Sequence, residues 1–528
     1  MTNLRDDMQS TALGKLSTEV WVDTFNFDEL TTKFAPLMLD TYQRPYVWGE
    51  NNVIQLLQDF RDFSTPAPSD DRQYYLGTVL LHEKAESSKI QYCVIDGQQR
   101  LTTLAILYWL LRNTLPNGIE FTFRSVRSLA SVQQTKKTML SWLEAHPECK
   151  LLFTNLWVHL RFTVIRVASE DLAFTFFDTQ NNRGVPLGST DLLKAFHLRA
   201  IKHHKQEQVE QLQSHCARKW EQVQQCGELV KKNKNHDFAP NLFHYYLWRA
   251  RNWRGSDVQE LESRDEMLSH FGAQSLPTEI GKVVLYPGGS NVWGEALVLT
   301  EANDFQLTPV MQHVSSNAAH LPFSLRQPIS RGVGFFLFTE KYAHMLQDIL
   351  FSKSIDIEIR ATQHFYKTVV STLSEYLQSL FQLALLVYVD RLGSKGLLRF
   401  SLYLDHRLGA LRLSQADIRR ETPLKFLRDA KQNLLDVIAQ AYVGEEVVRF
   451  LQVVCVDNIY SQNSGWQEAI NGGSSKVQER YAKAVADYYS LTQLAGKTSD
   501  FIDAKVIEVL KISPRLGNEQ YGRRALHG

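Results

Sequence analysis

Apolar and polar positions along the chain fall into short, distinct blocks. Tyr92 to Ile95 is an apolar run of strand type that stops at Asp96 and Gly97. Leu101 to Leu111 is apolar over helical length. The order is therefore strand, tight polar turn, helix. Upstream, Val53, Ile54, Leu56, Leu57 and Phe60 share one face of a helix beginning near Glu50, with Asp59, Arg61 and Asp62 largely outside it. Downstream, Ser189 or Thr190 caps a helix carrying Leu192, Leu193, Phe196 and Leu198. From Glu207 to Lys232 the residues Val209, Leu212, Cys216, Trp220, Val223 and Leu229 keep helical spacing. Asn241 to Trp253 is a strongly aromatic helix of core type, flanked by Arg249, Arg251 and Arg254, which could face solvent or a ligand. Helices are also predicted over Phe335–Leu350, Thr362–Tyr388, Leu397–Leu411, Gln415–Ala441 and Glu445–Val454.

Three polar islands interrupt this pattern. The first is Asp96-Gly97-Gln98-Gln99-Arg100 at the strand-to-helix turn. A helix N-terminus offers unpaired N–H groups and partial positive charge, which suit a phosphate. Gly97 permits a sharp turn, Arg100 adds a planar cation, and Asp96 can hold a metal ion or a hydroxyl. An ordinary surface turn is the alternative. The second island is Tyr42-Gln43-Arg44-Pro45-Tyr46-Val47-Trp48, where Pro45 stiffens the residues before it. Tyr46 and Trp48 read there as anchors at the core edge, Gln43 and Arg44 as functional groups. The third is Gln180-Asn181-Asn182-Arg183-Gly184, a donor-rich turn between helices.

Together these islands, with the strand Leu76-Gly77-Thr78-Val79-Leu80-Leu81 and the run from Phe177 to Lys194, resemble the bacterial GmrS-type family. Its N-terminal domain is related to the ParB/sulfiredoxin-like nucleotide-binding fold. Leu39-Asp40-Thr41 replaces the usual Ile-Pro, and Gln180-Asn181-Asn182 the usual Leu-Asn. The resemblance covers roughly residues 20–260. It implies an α+β chain: a ParB-like domain with a small mixed sheet, then a mostly helical C-terminal region. The expected parts are an N-terminal extension (1–19), the ParB-like domain with its helical part (20–260), a helical domain (261–515) and a loose tail (516–528).

The resemblance also implies a nucleoside-triphosphate-hydrolysing sensor in defence against phage. In that reading Asp96, Gln99 and Arg100 form the catalytic set, and Asp96 holds Mg2+ or another divalent cation. Tyr42, Gln43, Arg44, Trp48, Gly97, Gln98, Thr102, Asn182 and Arg183 bind the nucleotide. Many relatives carry a fused HNH-like nuclease with a His-x-x-Pro signature. Here no histidine after residue 260 has proline three positions on; His320-Leu321-Pro322 is one residue short. The chain therefore reads as a sensor that acts with a separate effector nuclease or a second family member, engages DNA and forms an oligomer. A non-catalytic nucleotide- or DNA-binding module, or a nuclease using the ParB-like domain itself, remain the alternatives.

Composition changes this picture little. The net charge of +1, from 58 basic and 57 acidic residues, carries no basic footprint for nucleic acid. Basic runs at 199–205 and 231–234 read as solvated helix faces, with contact to phosphates as the alternative. The five cysteines are widely spaced, with no C-x-x-C pair, which signals neither zinc nor a disulfide framework. With no membrane-length apolar run and no signal-type apolar start, a cytoplasmic protein without membrane contact is expected.

Overall fold

The structure, a computed structural model, describes residues 20–39, 43, 45–65, 72–86, 89–123, 126–169, 172, 188–226, 237–261, 263–280, 282–286, 295–299, 305–309, 318–415, 417–462 and 476–511. The chain divides into two compact units, Met1–Ala195 and Phe196–Gly528.

The first unit is built on a five-stranded sheet. Its strands are β1 (Val20–Asn26), β2 (Leu37–Leu39), β3 (Tyr74–Glu86), β4 (Lys89–Asp96) and β5 (Leu160–Val167), in the order β1-β5-β3-β4-β2. β3–β4 and β1–β5 are antiparallel, whereas β3–β5 and β2–β4 are parallel, so the sheet is mixed. Leu160, Phe162 and Val164 are buried, and Arg161, Thr163 and Ile165 between them are half-buried. Alternation of this kind presents one strand face to the core. The core also takes residues from α1 (Phe27–Lys33), α2 (Glu50–Phe63), α3 (Gln98–Arg112) and α4 (Val126–Ala145). Val53, Leu56, Leu57 and Phe60 of α2 are buried at helical spacing. Asn26 opens α1 with a reciprocal capping box to Glu29, both bonds at 2.8 Å.

Among the described residues, the second unit is mostly helical, with a ribbon of β6 (Glu295–Leu299) and β7 (Phe305–Pro309). Its main helices are α5 (Gln206–Gln225), α6 (Val333–Leu350), α7 (Ile357–Thr368), α8 (Glu375–Leu392), α9 (Leu397–Ser414), α10 (Lys476–Tyr489) and α11 (Ser499–Leu510). Trp220 of α5 stacks on Phe335 of α6, ring centroids 5.8 Å apart. Two long helices expected from periodicity are interrupted. In 362–388 the Ser374 hydroxyl accepts from the Leu377 N–H and starts α8 anew. Likewise, 415–441 holds two helices, Glu421–Arg428 and Leu434–Gln440; the Asn433 side chain accepts from the Leu435 N–H and caps the second. The aromatic segment is helical, with a π-helical turn at Leu242–Leu247, and Phe243, Tyr246, Leu247 and Trp253 are buried. Its arginines serve the fold: Arg249 pairs with Glu260 at 2.7 Å, and Arg251 donates to the carbonyls of Leu325 and Gln327.

A polar cluster lies inside the helical core. Lys497 Nζ is 2.7 Å from Asp405 Oδ2, and both side chains are fully buried. The Tyr481 hydroxyl donates to both Asp405 oxygens at 3.1 Å, and Lys497 also donates to Tyr460 Oη at 3.2 Å. Burial alone would lower the Lys497 pKa, but Asp405 and Tyr460 outweigh it and raise it. One turn on from Asp405, a Cβ at Gly409 would stand 1.7 Å from Tyr481 Oη, so only glycine fits there.

Candidate functional site at the β4–α3 turn

The site is assembled from a bulge in β3, the end of β4, the first turn of α3 and residues 43 and 45–48. Gly97 joins β4 to α3 with φ +96, and a Cβ there would lie 3.0 Å from Val79 Cγ2. Both the backbone conformation and the close approach of β3 require glycine. No side chain caps α3, and its first turn holds no acidic residue. The uncapped N–H groups leave partial positive charge there.

Three side chains of this turn hold backbone. Arg100 Nη1 donates to the Leu76 carbonyl at 2.5 Å and Nη2 to the Thr78 carbonyl at 2.7 Å. Nη2 also lies 3.5 Å from Asp96 Oδ2. The guanidinium thus fixes the irregularity in the β3–β5 pairing between Tyr75 and Thr78. Gly77, between those two carbonyls, has φ +95, and a Cβ on it would stand 2.3 Å from Arg100 Nη1. Gln99 clamps the second island: its Oε1 accepts from the Val47 N–H at 2.9 Å, and its Nε2 donates to the Pro45 carbonyl at 3.1 Å. Gln43 Nε2 donates to the carbonyls of Val94 and Ile95 at 2.9 and 2.7 Å, which ties the same segment to the end of β4.

Between these ties Tyr46 is fully buried. Its hydroxyl lies 2.8 Å from Thr103 Oγ1 and 3.1 Å from Thr135 Oγ1, and its N–H donates to Ser128 Oγ at 3.0 Å. Burial pushes the Tyr46 phenol up, against the pull of both threonine bonds. Trp48 packs against the core of the unit. Anchoring by Tyr46 and Trp48 is the core-edge role expected for both.

Gln98 and Thr102 behave differently. They stand one turn apart on α3, 5% and 2% exposed, and Gln98 Oε1 and Thr102 Oγ1 have no hydrogen-bond partner. A buried polar atom left unpaired costs about 1–3 kcal/mol. Such atoms occur elsewhere among the described residues, at Trp157 Nε1 and Thr362 Oγ1 for example; these two are set apart by standing at an uncapped helix start.

Of the expected site residues, the structure therefore gathers Gln43, Asp96, Gly97, Gln98, Gln99, Arg100 and Thr102 around one turn. Tyr42, Arg44, Asn182 and Arg183 lie outside the described residues. Gly77 and the Tyr46–Thr103–Thr135 contacts were not foreseen. A lone glycine within a strand pattern was the available signal for Gly77. Among the described residues, no three His, Cys, Asp or Glu side chains are grouped for a metal. Asp96, with its side chain 31% exposed, supplies one carboxylate. That is the protein's usual share for Mg2+ carried by phosphate oxygens and waters, so the residues fit an ion that arrives with its ligand.

Residues 26–198 match the GmrSD restriction endonuclease N-terminal domain, a span that holds the whole β4–α3 turn and four of the five strands in full. Over these residues the chain is similar to that domain. The matched domain relates the chain to restriction systems. Residues 212–468, after the GmrSD domain, match a family of unknown function, DUF7834, and not an HNH nuclease family. No curated protein matches the chain. Among the described residues, no helix is long and apolar enough to cross a membrane.

Proposed function

We propose that this chain is the nucleotide-responsive subunit of a restriction system, binding and hydrolysing a nucleoside triphosphate at the β4–α3 turn. The observation that carries this reading is the pair of unpartnered buried oxygens, Gln98 Oε1 and Thr102 Oγ1, at the uncapped start of α3. The Thr102 hydroxyl can donate to a phosphate oxygen, and a turned Gln98 amide presents its N–H2 instead. The N–H groups of the first turn complete the cradle. When bound, Mg2+ or a similar divalent cation offsets phosphate charge. Asp96 would hold that ion. Arg100, with three of its five N–H groups engaged, keeps donors for the developing charge.

Gln99 and Gln43 act in this reading by fixing the 43–48 segment, with Trp48 as its anchor. Tyr42, Arg44, Asn182 and Arg183 supply the remaining contacts to the nucleotide. Positioning and charge suffice for phosphoryl transfer, so the absence of a dedicated base among these groups fits the chemistry. A separate effector nuclease or a second family member cuts DNA under this control, and DNA and oligomer formation are expected inputs.

The test is phosphate release from ATP, GTP, CTP and UTP with Mg2+, with and without DNA. Asp96→Asn and Thr102→Val are the comparison proteins. The expected result is turnover with at least one nucleotide, reduced about 100-fold or more in both variants. Nucleotide binding without turnover would make the domain a binding module. Equal turnover in wild type and both variants would move hydrolysis to another part of the protein.

A further inference from the structure

The second unit contains an open cleft of about 560 Å3 between α7, α10, α11 and the short turn Val370–Thr372. The sequence of α10 explains one wall. Tyr481, Ala482, Val485, Ala486 and Tyr489 are buried, which leaves Arg480, Lys483, Ala484 and Asp487 along the cleft. Lys505 comes from α11 and His364 and Thr368 from α7. Three fixed cations thus face one carboxylate, Asp487. Among the described residues, neither Arg480 nor Lys483 has an ion-pair partner. Arg480 makes one 3.3 Å bond, to the Thr372 carbonyl, and its other donors stay available.

Lys505 is only 9% exposed, although the carboxylate it pairs with at 2.9 Å, Glu508, is 68% exposed. Its ammonium lies 5.5 Å from the Tyr488 ring centroid. Tyr488 lines the same cleft, and its hydroxyl is buried without a partner. Burial, with Glu508 and Asp405 nearby, pushes that phenol up, so it keeps its proton as a donor at neutral pH. The ring stands beside His364, centroids 6.1 Å apart. A nearly buried lysine, an arginine and a lysine without ion-pair partners, and an unsatisfied phenol thus leave donors in excess of acceptors around one space.

We infer that this cleft is a second ligand site, which takes a phosphate-bearing small molecule of nucleotide size. The volume lies within the roughly 300–1,000 Å3 of small-molecule pockets. Arginine and lysine recognise phosphate oxygens by charge-assisted bonds, and the Tyr488 and His364 rings offer flat surfaces to a planar group. The site is separate from the β4–α3 turn and stands whether or not that turn hydrolyses nucleotide.

The experiment is amine labelling of the full-length protein, read by mass spectrometry at Lys483 and Lys505, with inorganic tripolyphosphate or ATP added. Both phosphates are expected to protect the two lysines. Protection is expected to persist in Asp96→Asn, which separates this site from the β4–α3 turn. Arg480→Glu, a change of an exposed residue, is expected to weaken it at least about tenfold in apparent affinity. Protection by ATP but not tripolyphosphate would still support the site and assign recognition to the nucleoside. Labelling unchanged by both, protection unaffected by Arg480→Glu, or protection by an oligonucleotide alone would overturn the inference.

Discussion

Two buried polar networks in this molecule are built on opposite plans. Around Asp405, Lys497 and Tyr481 every charge is matched by a partner inside the helical core. Around the β4–α3 turn, side chains hold backbone carbonyls and amides, and two oxygens remain unmatched. A closed network of this kind specifies packing and resists solvent. An open one costs stability and keeps polar groups in reserve for a ligand. Under the proposed function, the difference separates groups that shape the fold from groups kept for a ligand.

The comparison can be broken most forcefully with acid. Burial lowers His197 to about 3, and His270 and His406 to about 4. His197 is fixed as neutral: its Nδ1 accepts from the Gly332 N–H at 3.3 Å, while Nε2 lies 2.9 Å from the Phe271 carbonyl. Unfolded histidine titrates near 6.5. Between these values the unfolded chain binds more protons, so stability falls as pH drops from about 6.5 to 4, then levels off below the folded values. Peptide-resolved hydrogen exchange at pH 7 and pH 5 should show loosening of the second unit by several kcal/mol. Unchanged protection of α6 and α9 at pH 5 would remove the histidines from this account.

Next in size is Lys497→Met, which strands the Asp405 carboxylate in the core. It should cost about 3–5 kcal/mol in denaturant unfolding, and Asp405→Leu added to it should recover part of the loss. In the first unit Gly77→Ala should cost about 2–3 kcal/mol, from the positive φ and from displacement of Arg100. Gln99→Ala should cost about 1–2 kcal/mol, and exchange should quicken at Val47. Smallest of all is Thr102→Val. Because its hydroxyl has no partner, no bond is lost and thermal stability should hold or rise, while nucleotide affinity falls. A large stability loss in Thr102→Val would erase the distinction between open and closed networks.

The division of labour within the DGQQR run was only half legible in the sequence. Strand, turn and helix followed from the apolar run ending at Asp96 and the apolar helix from Leu101, and the mixed sheet and helical second unit agree with the α+β expectation. That Gln98 is unpartnered while Gln99 clamps a distant segment was not legible, because adjacent helix positions point about 100° apart and only the fold says what each meets. Arg100 looked like a ligand for phosphate. Its bonds to Leu76 and Thr78 depend on a strand irregularity 22 residues or more away in sequence, which no local pattern encodes. The breaks at Ser374 and Asn433 were readable in principle, since both are good N-caps inside otherwise apolar periodicity.

The fit between Gly77 and Arg100 has a consequence for how this chain can change over generations. A side chain at position 77 would occupy the space of the guanidinium. Substitution at 77 therefore costs less in a lineage that has already given up the arginine, although the positive φ still favours glycine. Loss of Arg100 in turn removes the bonds that hold the carbonyls on either side of Gly77. The two positions form one heritable unit, and related chains are expected to keep both or lose both.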